Sequence, residues 1–379
     1  MRVQLSPRRD DHGAVAVLVA VLAVVIIGIA AFVTDFGMAY AQRSALSTGA
    51  DSAALAIVRQ EQIKVIKNPT LTCAQLVAND AAGAPALALA QMNSNSPFGI
   101  TLTASQLSVS MTCTGASGNP NGILQATVTV TKDVQTVLGG VVGVGKLSVN
   151  RTAVAALGAV DSASGYIPLT LCTDVVQKIV ADGAADAAAS PPVSRHVLVD
   201  LTKVWNNGNP CGGANSGSGN WGWLYCSSNG ASDLATTITQ GCPNPLTLNP
   251  GTPPSFTMDG TPGDKGNSNN VDTAMASRLD ETVVLPVYDT LGGNGANTTY
   301  RVVGFLSAKL CAYNPNNKPQ TGDCYLSGID PVSGLNVTLT KNSIQLVYAG
   351  YTSAGDFSSL CGLGTVTCTF GTTKTALVQ

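Results

Sequence analysis

Ten cysteines are the residues of this chain best equipped for covalent chemistry: Cys73, Cys113, Cys172, Cys211, Cys226, Cys242, Cys311, Cys324, Cys361 and Cys368. A cysteine acts as a nucleophile, a soft-metal ligand or half of a disulfide, and spacing separates these uses. The count is even, the spacings vary widely and no C-x-x-C pair occurs. Structural zinc usually shows closely spaced ligand pairs, so zinc is disfavoured and disulfides formed in an oxidising compartment are expected. Near neighbours suggest Cys211–Cys226, Cys311–Cys324 and Cys361–Cys368, which leaves Cys73–Cys113 and Cys172–Cys242 by chain order. Connectivity itself is not legible in a sequence.

Other chemistry is thinly supplied. The two histidines are His12, ahead of an apolar run, and His196, inside an apolar strand pattern. A Ser-His-Asp or Cys-His centre would have to use His196, and no nucleophile-elbow motif accompanies it. No pair of carboxylates stands out for acid–base work. Gly140–Lys146 (GVVGVGK) fits the start of a phosphate-binding loop, but Leu147 stands where Ser or Thr would hold magnesium, so a turn is expected. Gly217, Gly219 and Gly222 satisfy G-x-G-x-x-G without the strand before and helix after that a dinucleotide site needs. Trp221 and Trp223 in the same stretch would face one way on an extended segment, as core beneath a loop or as a stacking surface for sugar or protein. Asp259, Asp264 and Asp272 offer oxygen ligands without EF-hand spacing. The expectation is a non-enzymatic protein without cofactor or metal.

The elements that carry these residues begin with an anchor. Ala14 to Val33 are 20 residues without a charge or strongly polar group, enough for a helix to span about 30 Å of hydrocarbon. Arg2, Arg8 and Arg9 precede it, favouring a cytoplasmic N-terminus with every cysteine outside. The competing reading is a signal peptide cut near Ala39-Tyr40-Ala41, against which the run exceeds the usual h-region. Phe32, Phe36, Ala39, Leu46, Ala50, Ala53 and Ile57 then continue an apolar helical stripe, with Arg43 its polar occupant and Asn68-Pro69 the stop. That stripe is either a stalk packed on its own ectodomain or a seam for a partner helix.

The remainder predicts an α+β protein: a long N-terminal transmembrane and stalk helix, a small pilin-like α+β unit, then a β-rich disulfide-containing domain. The boundaries are a cytoplasmic N-terminus (1–13), transmembrane helix (14–33), extracellular helical stalk (34–67), α+β domain (68–160) and β-rich Cys-containing domain (161–379). Residues 74–92 read as one or two short helices around Pro85. Leu107–Cys113, Ile123–Thr131, Leu147–Ala156, His196–Leu201, Thr282–Tyr288, Tyr300–Leu310 and Ser343–Tyr348 read as strands. Gly208–Asn220 and Asn249–Asn270 are loops by composition. Net charge is −2 and only 11% of residues are charged, which gives no electrostatic basis for binding nucleic acid.

The opening HGAVAVLVAVLAVVIIGIAAFVTDFGMAYAQRSALSTGADSAALA resembles the N-terminal region of TadG-like and TadE-like Flp pilus-assembly proteins, of the actinobacterial type. Its marks here are Asp35, Gly37 and Tyr40 after the apolar helix, then Ala50, Asp51, Ala53 and Ala54. Asn215–Leu224, Val284–Asp289 and Tyr300–Phe305 resemble shorter segments of the same group. Leu18 stands five residues after Gly13, where prepilin-like members carry Glu for processing. Asp161–Gly165 lacks the serines of the metal site found in some members. The resemblance implies a single-pass cell-membrane protein of the tight-adherence system, its extracellular part contacting pilin, envelope or assembly partners. The alternatives are an exported adhesin binding a cell-surface glycan or protein through Trp221 and Trp223, and an extracellular hydrolase.

Overall fold

The computed structural model describes residues 12–94, 101–115, 122–136, 143–193, 196–200, 222–228, 230–250, 253–261, 268–293, 297–314, 317–329, 336–352, 356–357, 362–364 and 370–378. In chain order these form α1 (His12–Lys67), α2 (Cys73–Asp80), α3 (Ala84–Ser94), β1 (Leu107–Thr114), β2 (Ile123–Gln135) and β3 (Lys146–Ala163). Next come β4 (Leu171–Cys172), α4 (Thr173–Ala188), β5 (Val197–Asp200), α5 (Ala231–Gln240), β6 (Leu246–Thr247) and β7 (Phe256–Asp259). Then follow α6 (Asn269–Ala276), β8 (Thr282–Gly292), β9 (Thr299–Asn314), β10 (Gln320–Thr321), β11 (Gly328–Ile329) and β12 (Asn336–Val337). The last strands are β13 (Ser343–Tyr348), β14 (Asp356–Phe357) and β15 (Thr373–Val378).

The seven strands expected from alternation and apolar runs all form, and α1 stops at Lys67 where Asn68-Pro69 was expected to stop it. Pro85 falls in the first turn of α3, where its missing N–H costs nothing. Thr72 and Gln75 make a reciprocal capping box at the start of α2. One sheet runs β1-β2-β3-β14, with β6 and β15 also on β3; a second runs β4-β8-β9-β13-β5, with β7 and β10 on β9.

The chain divides into two compact units, the first being Met1–Ala53, Pro85–Val109 and Val128–Ala153. In it, Gly49 of α1 faces Met92 of α3 so closely that a Cβ would lie 3.1 Å from the methionine methyl. Asn93 clasps Leu102 through both its amide groups, at 2.8 and 3.2 Å. Side-chain bonds Thr129–Thr152, Asn150–Thr131 and Lys146–Asp133 tie β2 to β3, with numbers rising on one strand as they fall on the other, as in an antiparallel pair.

The second unit is Ala54–Ala84, Ser110–Thr127 and Val154–Gln379. β8, β9 and β13 form its antiparallel centre, and β4 adds to β8 in parallel. Trp223, Tyr288, Tyr300, Phe305 and Phe370 are its largest fully buried side chains, each contributing about 1.5–3 kcal/mol relative to exposure. α4 lies over β13. Gly183 permits that approach, because a Cβ there would sit 2.3 Å from the Cβ of Tyr348, far inside contact distance. The Tyr348 hydroxyl donates to the Gly371 carbonyl at 2.9 Å. The second half of β3 is buried on both faces along its whole length, and its backbone is paired there with β15 at residues 154–159 and with β6 and β14 at residues 160–163. That explains its run of Ala, Gly and Val where strict alternation would leave polar residues.

Within this unit the base of α1 is tied to α2 by one cation between two carboxylates. Lys64 Nζ lies 2.9 Å from Glu61 and 2.6 Å from Asp80. Burial raises the Glu61 carboxyl above its usual value more than Lys64 lowers it. Lys64, against burial, is held high in its charged form by hydrogen bonds to both acids. Lys64→Met is therefore expected to destabilise the fold by about 2 kcal/mol, below the 3–5 typical when a fully buried pair loses one partner, because 31% of the lysine side chain is in solvent. Since the folded Glu61 value exceeds the unfolded one, its contribution falls as pH rises between them. Denaturation of wild type and Glu61→Gln across pH 4–8 checks the sign: wild type should lose ground to the variant as pH rises through that window.

Three disulfides join described residues: Cys73–Cys113, Cys226–Cys242 and Cys311–Cys324. The first and third match expectation. Cys226–Cys242 corrects both Cys211–Cys226 and Cys172–Cys242. The sequence separation of the observed pair is 16, so proximity favoured neither choice; α5 decides it by folding back and bringing Cys242 beside Tyr166 (Cys242 N–H to Tyr166 O, 3.0 Å). Cys172 is disulfide-bonded, and Cys211, Cys361 and Cys368 lie outside the described residues.

Candidate functional site: the two parts of the long helix

α1 is 56 residues long, about 84 Å at 1.5 Å per residue. From Val15 to Val33 its large apolar side chains are 53–71% exposed. Such a run facing water is unfavourable by about 25 cal/mol per Å² of apolar surface, so something apolar must cover it. Among the described residues this is the one helix long and apolar enough to cross a membrane, and none of its most apolar window is buried in the fold.

Beyond this run the helix changes role. Ala45, Leu46, Ala50, Ala53, Ala54, Ile57, Val58 and Val65 are buried, at the spacing of one helical face. The stripe expected from sequence is thus core from Leu46 onward, the packed-stalk reading. Its upper members Phe32 and Phe36 remain exposed, their rings 4.4 Å apart.

The family-like motif does not gather into one cluster. Asp35 is buried, 6% exposed, and Asp51 is half-buried. Tyr40 is 74% exposed, and a Cβ at Gly37 would meet nothing within 4 Å. Packing inside this fold therefore places no demand for glycine at 37 or tyrosine at 40.

The other candidate residues have structural surroundings. Trp223 is 1% exposed, its backbone bridged to Leu169 and its carbonyl taken by Thr261; its ring offers no stacking surface. Trp221 lies outside the described residues. Lys146, the last residue of the GVVGVGK stretch, is ion-paired with Asp133 at 2.7 Å. Asp259 is exposed on β7, and Asp272 is buried on α6 with its carboxyl pushed up by desolvation; Asp264 is outside the described residues. The one grouping of three metal-capable side chains among the described residues is His196, Cys311 and Cys324. There the two sulfurs are bonded to each other, which removes the thiolates a metal needs. The Lys64 tie was not foreseen; its signal was Glu61 and Lys64 at i, i+3 near the helix end.

Residues 13–58 match the family model for putative Flp pilus-assembly TadE/G-like proteins. The match starts at the head of the exposed apolar run and ends at Val58, within the buried face. No curated protein and no solved structure matches the chain.

Proposed function

We propose that this protein is a membrane-anchored, non-enzymatic component of a Flp pilus-assembly system, its folded part outside the cytoplasm contacting pilin, envelope or assembly partners. The observation that carries the reading is the coincidence of the TadE/G-like match at residues 13–58 with a helix exposed and apolar in its first part and built into the fold in its second. Burying the first part in lipid removes its cost, and the second part then holds the folded mass at the membrane surface. Arg2, Arg8 and Arg9 before the span favour a cytoplasmic N-terminus. The disulfides agree with that direction, because such bonds persist in oxidising compartments. Gly37 and Tyr40, which the fold's packing does not use, are assigned to contact with a partner just beyond the span. The boundaries 14–33 for the span and 34–67 for the stalk follow from the same division.

Deletion of the gene is expected to abolish surface pili, with the full chain restoring them and Tyr40→Ala restoring fewer at equal protein level. Normal piliation in the deletion strain would overturn the assembly role. Externally added protease should cleave the folded part in intact cells; protection would overturn the orientation.

A further inference from the structure

The three disulfides between described residues share one pattern: each joins a fully buried sulfur-bearing residue to a partly exposed one. Cys73, Cys242 and Cys311 are buried, while Cys113, Cys226 and Cys324 are half-buried. Only Cys311–Cys324 has an imidazole beside it: a ring nitrogen of His196 and both sulfurs all lie within 4.8 Å of one another. His196 directly precedes β5, which is separated from the Cys311 strand β9 by β13. On the other side a carboxylate fixes the turn that carries Cys324. Asp280 accepts the backbone N–H of Asp323 at 2.7 Å and of Cys324 at 3.1 Å, with Lys309 3.5 Å away.

We propose that Cys311–Cys324 is an exchangeable disulfide at which a low-molecular-weight thiol joins Cys324, with His196 stabilising the Cys311 thiolate that departs. In the step, the external thiolate attacks Cys324 Sγ, the less buried end, and forms a new S–S bond. The Cys311–Cys324 bond breaks, and its electron pair leaves on Cys311 Sγ, which takes a proton from His196 or rests beside the imidazolium. One disulfide is exchanged for another, so no separate oxidant or reductant is consumed. A cation beside a sulfur makes it the better leaving group. Cys311 is fully buried and Cys324 half-buried, so a thiol from solvent meets Cys324 first and Cys311 is the sulfur that departs. Asp280 keeps the 322–324 turn in place after the bond opens, confining the change to the turn. A second thiolate on the adduct would complete reduction to two thiols. The inference stands independently of the pilus reading.

The test is brief incubation of the full chain in detergent with reduced glutathione, then acid quench, alkylation and peptide mass mapping. The expected result is a glutathione adduct on Cys324 with alkylated Cys311, appearing before any adduct on Cys113 or Cys226. A thiol of lower pKa leaves faster, so His196→Gln should slow the opening severalfold. Looser packing alone would speed it, so the sign separates chemistry from structure. Opening no earlier than the other two bridges, an adduct on Cys311, or faster opening in His196→Gln each overturns the proposal. The order among bridges is read in the wild-type chain and needs no variant to fold.

Discussion

Replacing Val21 and Val25 together with arginine is expected to remove the protein from the membrane fraction. Both side chains face outward, 60% and 53% exposed, so the substitutions touch no packing in the fold. Each exchanges a residue that favours insertion slightly for one costing about 2.5–3.5 kcal/mol at a helix centre, a combined change of about 6–8 kcal/mol. That is enough to offset the gain from the rest of the apolar run. The measurement is the share of protein resisting alkaline carbonate extraction, which should fall from nearly all to a small residue. On the proposed topology the cysteines of the double variant also stay on the reducing side and become open to alkylation. A double variant still embedded after extraction would remove the basis of the anchor.

Removing the Cys73–Cys113 bridge, by Cys73→Ser with Cys113→Ser, is expected to be the most damaging loss among the three disulfides. Its sequence separation is 40, against 16 and 13 for Cys226–Cys242 and Cys311–Cys324. On the chain-entropy account the long closure is worth about 4 kcal/mol and the shorter ones about 3. Against a total stability of about 5–15 kcal/mol this is a large share. The bridge also pins the first residue of α2, fully buried, to the far end of β1. Denaturant titration of the three double-serine variants under oxidising conditions gives the order. A smaller loss here than for the 13-residue closure would show that strain or residual structure, not loop entropy, sets the contribution.

Much of the fold was legible because period and length are local properties. The apolar run could only be a spanning helix or a signal segment, and strands 107–114, 123–135, 282–292, 299–314 and 343–348 announce themselves by alternation or by apolar content. The helices α4, α5 and α6 were missed, since Ala, Thr and Asp are their commonest residues and only a few positions, such as Val176 and Ile179 or Leu234 and Ile238, reach the core. β15 was missed as well: its sequence TKTALV is ordinary, and its place beside β3 is a pairing across more than two hundred residues.

Sequence by itself determined the long apolar helix, its stop at Asn68-Pro69, the even set of cysteines and the resemblance at the N-terminus, all consequences of residues near one another in the chain. Only the tertiary structure decided that Cys226 meets Cys242, that Trp223 is core, that the stripe from Leu46 to Ile57 is used up in folding while Phe36 and Tyr40 are not, and that His196 lies against a disulfide. Those outcomes depend on which distant surfaces bury one another. Burial is a property of the closed chain, and no window of sequence contains it.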